Sequence, residues 1–215
     1  DSAVAAARML DAGHEVVGLK RRPAGVPEGI TPLAADLTDA NALAAALARI
    51  EGPPDVVVYA AAADGGDDAS YRRAYVDGLR NLVDALQTRA STPAGVFFTS
   101  STAVYAQDDG SWVDESSATE PGNFRGARML EAEAVLAASG FPAVSLRLGG
   151  IYGPGRTRLV ESVRSGRAAL RPGPPRFGNR IHRDDAAGAL AHLATLALAG
   201  RALEPLYLGV DDEPS

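Results

Sequence analysis

Cysteine is absent from the 215-residue chain, which excludes a disulfide framework and any thiolate nucleophile or metal ligand. The three histidines lie far apart in sequence, so the ligand spacing of a metal centre does not occur. No apolar run approaches the roughly 20 residues needed to span a bilayer as a helix. A Lys/Arg stripe is lacking too: 21 basic against 27 acidic residues leave a formal net charge of −6, which argues against nucleic acid or an anionic membrane as the main partner. The short basic run Lys20, Arg21 and Arg22 is the local exception. No internal repeat, low-complexity linker or signal peptide is visible, and the lack of cysteine fits a cytoplasmic protein.

What remains is the balance of a globular chain, with 46% hydrophobic and 22% charged residues and enough length for one sizeable core. Residues 2–12 place Ala3, Ala6, Ala7 and Leu10 on one helical face, and Gly13 ends that helix. Apolar runs at 14–19, 30–36, 55–62, 95–101, 143–148 and 205–210 read as strands, the second ending at Asp36. Helical periodicity lies between them, at 38–50 with Thr38 or Asp39 as cap, 70–89, 125–138, 158–165 and 184–198. Continuous apolar strands separated by amphipathic helices predict an α/β fold, a doubly wound parallel sheet covered on both faces. Residues 171–180, rich in Pro and Gly, predict a long loop.

A sheet of this kind binds ligands at the carboxyl ends of its strands. Those ends are residues 19–22, Asp36 with Leu37, residues 60–63, Thr99 to Ser101, and residues 149–153.

Six stretches at these places, "AADL" 34–37, "YAAA" 59–62, "YVDGLRNLVDA" 75–85, "TSSTAVYA" 99–106, "IYGPGR" 151–156 and "NRIHRDDAA" 179–187, resemble the extended short-chain dehydrogenase/reductase family of nicotinamide-dependent epimerases and dehydratases. They follow the family's order over almost the whole chain. The resemblance implies one Rossmann-like nucleotide-binding domain over residues 1–215, with small substrate-side segments near 150–180. It also implies that the family's first strand and glycine-rich loop lie upstream of Asp1, and that further segments follow Ser215. Without that strand, which is central in the order 3-2-1-4-5-6, two half-sheets are expected.

By the same resemblance Asp36 and Leu37 border the adenine. Ala60, Ala61 and Ala62 leave room for the cofactor backbone, or serve only to pack helix against sheet, and Ser100 lines the cofactor at the strand end. Arg21 and Arg22 suit a 2′-phosphate, since guanidinium presents paired donors to phosphate oxygens; this favours NADP, with NAD as the other possibility and a solvated basic turn as the plainer reading. Ser101, three residues before Val104, is the residue that orients the substrate oxygen, or it caps the strand-end turn.

The family's Tyr-x-x-x-Lys pair falls on Phe124 and Arg128, four apart on one helical face. Phenylalanine has no proton to give. Arginine keeps the charge and can grip ribose or phosphate, but it is a poor proton relay. Tyr75 stands where an asparagine is usual and Gly150 where another is, so the chain resembles the atypical members of the superfamily. Tyr75, Tyr105 and Tyr152 are the candidate substitutes for the lost phenol. His182 is expected to order the loop before a helix capped by Asp184.

Two functions compete. One is an atypical NAD(P)-dependent oxidoreductase or epimerase/dehydratase-like enzyme acting on a small molecule. The other is a non-catalytic NADP-binding or redox-sensing protein. A homodimer through the long helices near 70–88 and 121–139 is compatible with both.

Overall fold

A computed structural model describes residues 2–169 and 178–213. Most of the Pro/Gly-rich stretch at 171–180 therefore lies outside the described residues. In chain order the elements are α1 (Ser2–Asp11), β1 (Val17–Lys20), β2 (Thr31–Ala34), α2 (Ala40–Leu47), β3 (Val56–Tyr59), α3 (Asp68–Tyr71), a π-helical turn (Arg72–Asp77), α4 (Gly78–Thr88) and β4 (Gly95–Ser101). A 3₁₀ turn (Thr102–Val104), α5 (Phe124–Ala137), β5 (Ala143–Leu148), β6 (Gly150–Tyr152), α6 (Arg158–Arg164), β7 (Arg180–His182), α7 (Arg183–Leu198) and β8 (Leu206–Gly209) complete the chain.

Every strand pair is parallel. The main sheet has the order β3-β4-β5-β8, while β1 and β2 form a separate pair. This is the division into two half-sheets expected from the sequence. The ion pair between Arg21, just after β1, and Asp64, beyond β3, brings the carboxyl ends of the two sheets together. A third, two-stranded sheet joins β6 to β7; strands of three residues carry too little periodicity to be read from sequence.

The core lies on both faces of the main sheet because successive strand residues point to opposite sides. Along β4, Val96 and Phe98 enter the cluster formed with Leu43 and Leu47 of α2, Leu79 and Leu86 of α4, and Met129 and Leu136 of α5. The intervening Phe97 points the other way, against Val144 and Leu146 of β5 and Leu190 and Ala194 of α7. Phe97 and Phe98 are both fully buried, so β4 is the spine that holds the two helical layers together.

Capping follows local chemistry. Asp39 accepts from the Ala42 amide at 2.9 Å and Asn123 from the Arg125 amide at 3.0 Å, each satisfying an orphan donor of a first turn. At α7 the cap is His182 itself, whose Nδ1 accepts from the Asp184 amide at 3.3 Å. Asp184 instead holds the Arg183 guanidinium.

Candidate functional site

At the end of β2, Asp36 accepts from both the amide and the hydroxyl of Thr38, at 2.9 and 2.8 Å. These bonds hold its carboxyl below the ordinary carboxylate range. The Leu37 carbonyl is tied to α4 by the Asn81 amide group at 2.9 Å. At the end of β3, Ala60 and Ala61 are half-buried and Ala62 is exposed. No side-chain atom beyond Cβ extends from these three positions.

The predicted single helix over 70–89 is in fact interrupted. In the π turn the Gly78 amide donates to the Arg73 carbonyl, five residues back. The Ala74 carbonyl, which an α-helix would give to Gly78, accepts the buried Tyr59 hydroxyl at 2.5 Å. A Cβ at Gly78 would collide with that same hydroxyl oxygen, so the glycine lets strand and helix approach. Such single-turn bulges recur at functional sites. Here the bulge lies between Tyr71 and the straight helix α4. The Tyr71 ring sits 5.2 Å from that of Tyr75 and edge-on to Phe124 at 5.5 Å, with the Arg125 guanidinium over Tyr71 and Phe124.

Helix α5 closes on the end of β4. A Cβ at Gly126 would run into the Ala103 carbonyl, so glycine there lets the first turn of α5 touch the turn after Ser101. The Ser101 hydroxyl accepts from the Ala103 amide at 3.2 Å; this bond uses one lone pair and leaves its proton to be donated. The cap and the substrate-orienting role are therefore compatible.

Arg128 is more committed than the sequence suggests. Its Nε and Nη2 donate to the two Asp68 oxygens at 2.7 and 2.9 Å, and Nη1 donates to Glu131 at 2.5 Å. Glu131 also meets Arg72 at 3.2 Å. A grip on ribose or phosphate would require these carboxylates to be displaced.

Ser100 also departs from expectation. It is buried and donates to Glu133 of α5 at 2.5 Å. Glu133 in turn takes Arg147 Nε and Nη2 at 3.0 and 2.8 Å, and Arg147 Nη1 donates to the Tyr105 hydroxyl at 2.8 Å. Tyr105 passes its own proton to the Asp114 carbonyl at 2.9 Å. This chain of bonds, charge-assisted at Glu133 and Arg147, ties β4 and β5 to α5. It engages the protons of both Ser100 and Tyr105.

Tyr152 is exposed and edge-on to His182 at 5.2 Å, and a hydrogen bond to Asp211 pushes its phenol up. Tyr75 is half-buried. Burial pushes its phenol up, partly offset by a hydrogen bond with the Ala63 backbone and by the charge of Arg156. Among the described residues no group of acidic or histidine side chains could hold a metal, and no helix is long and apolar enough to cross a membrane.

A parallel sheet between two helical layers, with small residues at the carboxyl end of β3 and an ionised Asp36 just beyond β2 of the adjoining pair, defines a Rossmann-like dinucleotide-binding fold. The chain belongs to the NAD dependent epimerase/dehydratase family, whose model matches residues 3–172. A candidate NAD-dependent epimerase/dehydratase from Methylobacillus flagellatus is 38% identical, with a TM-score of 0.78 over 98% of this chain and 72% of that one. A candidate epimerase from Burkholderia cenocepacia is 26% identical, TM-score 0.80, over 99% and 72%. A Thermus thermophilus UDP-glucose 4-epimerase solved with NAD shares the fold at 21% identity and TM-score 0.79, over 99% and 75%. None of the curated proteins matches the chain.

The expected preference for NADP is overturned. Relatives solved with a dinucleotide, from Bordetella bronchiseptica, Thermus thermophilus and Brucella ovis, hold NAD. In this chain Arg21, read as a 2′-phosphate ligand, is ion-paired with Asp64, and Arg22 is simply exposed.

Proposed function

We propose that this protein is an NAD-dependent oxidoreductase or epimerase/dehydratase-type enzyme of the cytoplasm, acting on a small molecule without the usual Tyr/Lys pair. A single nucleotide-binding domain, with substrate-side segments near residues 150–180, belongs to this reading, as does a homodimer through α4 and α5. The observation that carries the reading is Ser101: it stands at a strand end with a donatable proton, beneath the first turn of α5.

The residues present fit the adenosine half of NAD. Asp36 offers an ionised carboxylate to the adenine amino group, Leu37 an apolar flank, and Ala60 to Ala62 a strand end without bulk. When bound, NAD supplies a hydride acceptor. Ser101 then orients the substrate oxygen, and the Tyr71, Tyr75 and Phe124 rings form an apolar wall that restricts water. Loss of general acid–base help at position 124 costs about 10²- to 10⁴-fold in rate, so turnover is slow or relies on a different proton donor.

A second reading, a non-catalytic dinucleotide-binding protein, is favoured by Phe124 and by the engagement of Arg128 with Asp68 and Glu131. One experiment on full-length protein separates the two. NAD is titrated by calorimetry, and deuteride transfer from labelled NADH to a panel of ketones and 4-keto nucleotide sugars is then followed. Transfer that Ser101→Ala abolishes supports the enzyme. Binding without transfer supports the second reading, and absence of NAD binding overturns both.

A further inference from the structure

Lys20, Arg21 and Arg22 put three positive charges at the end of β1, where a dinucleotide-binding sheet presents its residues to the adenosine ribose. NAD-binding folds often place a carboxylate near this point, whereas arginine there accommodates a 2′-phosphate. Sequence alone therefore points to the wrong cofactor. The spatial arrangement resolves the conflict. Asp64, on the segment following β3 and 43 positions from Arg21, holds the Arg21 guanidinium, and Asp36 lies within electrostatic reach of both.

We propose that Asp64 determines cofactor specificity: by capturing Arg21 between the ends of β1 and β3, it takes the guanidinium away from a 2′-phosphate and directs carboxylate charge at that site. The inference rests on the proposed NAD-dependent function. It supplies in space the acid that the strand end lacks in sequence.

Three further features support it. Arg21 and Asp64 are 54% and 68% exposed, and ion pairs so exposed contribute little to folding. Their effect therefore falls on charges entering the cleft. Both acids are ionised at neutral pH: Asp64 is held below the ordinary range by its bond from Arg21, and Asp36 by its bonds from Thr38. A phosphate group brings about −1.5 to −2 charges and would meet two carboxylates around one guanidinium already in use. A 2′-hydroxyl brings none, so the discrimination comes from repulsion of the wrong ligand as much as from attraction of the right one.

The test is the ratio of dissociation constants for NADP and NAD, measured by calorimetry on full-length protein. Wild type is compared with Asp64→Asn, Arg21→Ala and the double variant, each checked for an unchanged circular dichroism spectrum. Asp64→Asn should lower the NADP-to-NAD ratio of constants by at least about fivefold, within the range that one charge-assisted contact provides. In the double variant about half of that gain should be lost, because no guanidinium remains to be released while the repelling carboxylate is still gone. A smaller shift in Asp64→Asn, or an equal shift in the double variant, overturns the role of Asp64 while leaving NAD binding intact. A wild-type protein that binds neither dinucleotide overturns the functional reading itself, and this inference with it.

Discussion

Arg128 and Asp68, 60 positions apart, face each other as two parallel pairs, Nε to Oδ1 at 2.7 Å and Nη2 to Oδ2 at 2.9 Å. The bidentate geometry ties the start of the bulged helix to α5. Hydrogen bonding from Arg128 holds the Asp68 carboxyl below its ordinary value near 3.8. A carboxyl lowered in the folded state stabilises above its unfolded pKa, and that contribution is lost as pH falls through the folded one. The melting temperature of Asp68→Asn should therefore lie below wild type by a constant amount from pH 7 to 5. The gap should close below about pH 3.8. A gap that persists in acid would show that the carboxylate charge is not its source.

The same pair governs any attempt to install a Tyr-x-x-x-Lys pair at positions 124 and 128. Phe124→Tyr with Arg128→Lys should add little, because the new lysine still faces Asp68. Adding Asp68→Asn should release it and raise deuteride transfer by about 10²-fold or more. Equal rates in the double and triple variants would exclude Asp68 as the restraint.

Tyr59 and Gly78 should be energetically coupled. Tyr59→Phe leaves the Ala74 carbonyl without its partner and should cost about 1–3 kcal/mol in urea denaturation. Gly78→Ala drives a methyl group into the Tyr59 hydroxyl and should cost about 1–3 kcal/mol. In the Tyr59→Phe background the second substitution should cost less, since the obstructing oxygen is gone. Strict additivity would mean that the clash is relieved elsewhere.

Arg147→Met should destabilise by about 3–5 kcal/mol, because it strands Glu133 in the interior. The two side chains are only 7% and 13% exposed. Arg147→Met with Glu133→Leu should recover much of the loss, and urea melts of the three proteins would show it. A double variant no better than the single would assign the cost to the Tyr105 contact instead.

The sheet was legible because buried strands are continuous apolar runs and their helices keep a single apolar face; β4 and β5 fall at the residues the runs predict. That Ser101 ends a strand was legible from the apolar run before it. The Arg21–Asp64 and Arg128–Asp68 pairs were not, since each joins segments whose proximity only the folded chain creates. The π turn was equally hidden. Residues 70–89 keep helical periodicity throughout, and what diverts the Ala74 carbonyl is a hydroxyl 15 positions earlier. The β1 end misled because charge was counted along one strand, while its counter-charge arrives from beyond another.

The π turn also acts as a phase setter. Each residue of an α-helix advances about 100° around the axis, and a bulge accommodates one residue more than the regular ladder. Closing the ladder between Arg72 and Asp77 at unchanged chain length would turn the segment bearing Asp68 and Tyr71 relative to α4 by about that angle. Asp68 would leave Arg128, and Tyr71 would leave Phe124. The angular setting of the cleft's wall is thus held by a hydroxyl on β3, and deletion of one residue within the bulge would close the ladder while keeping that setting.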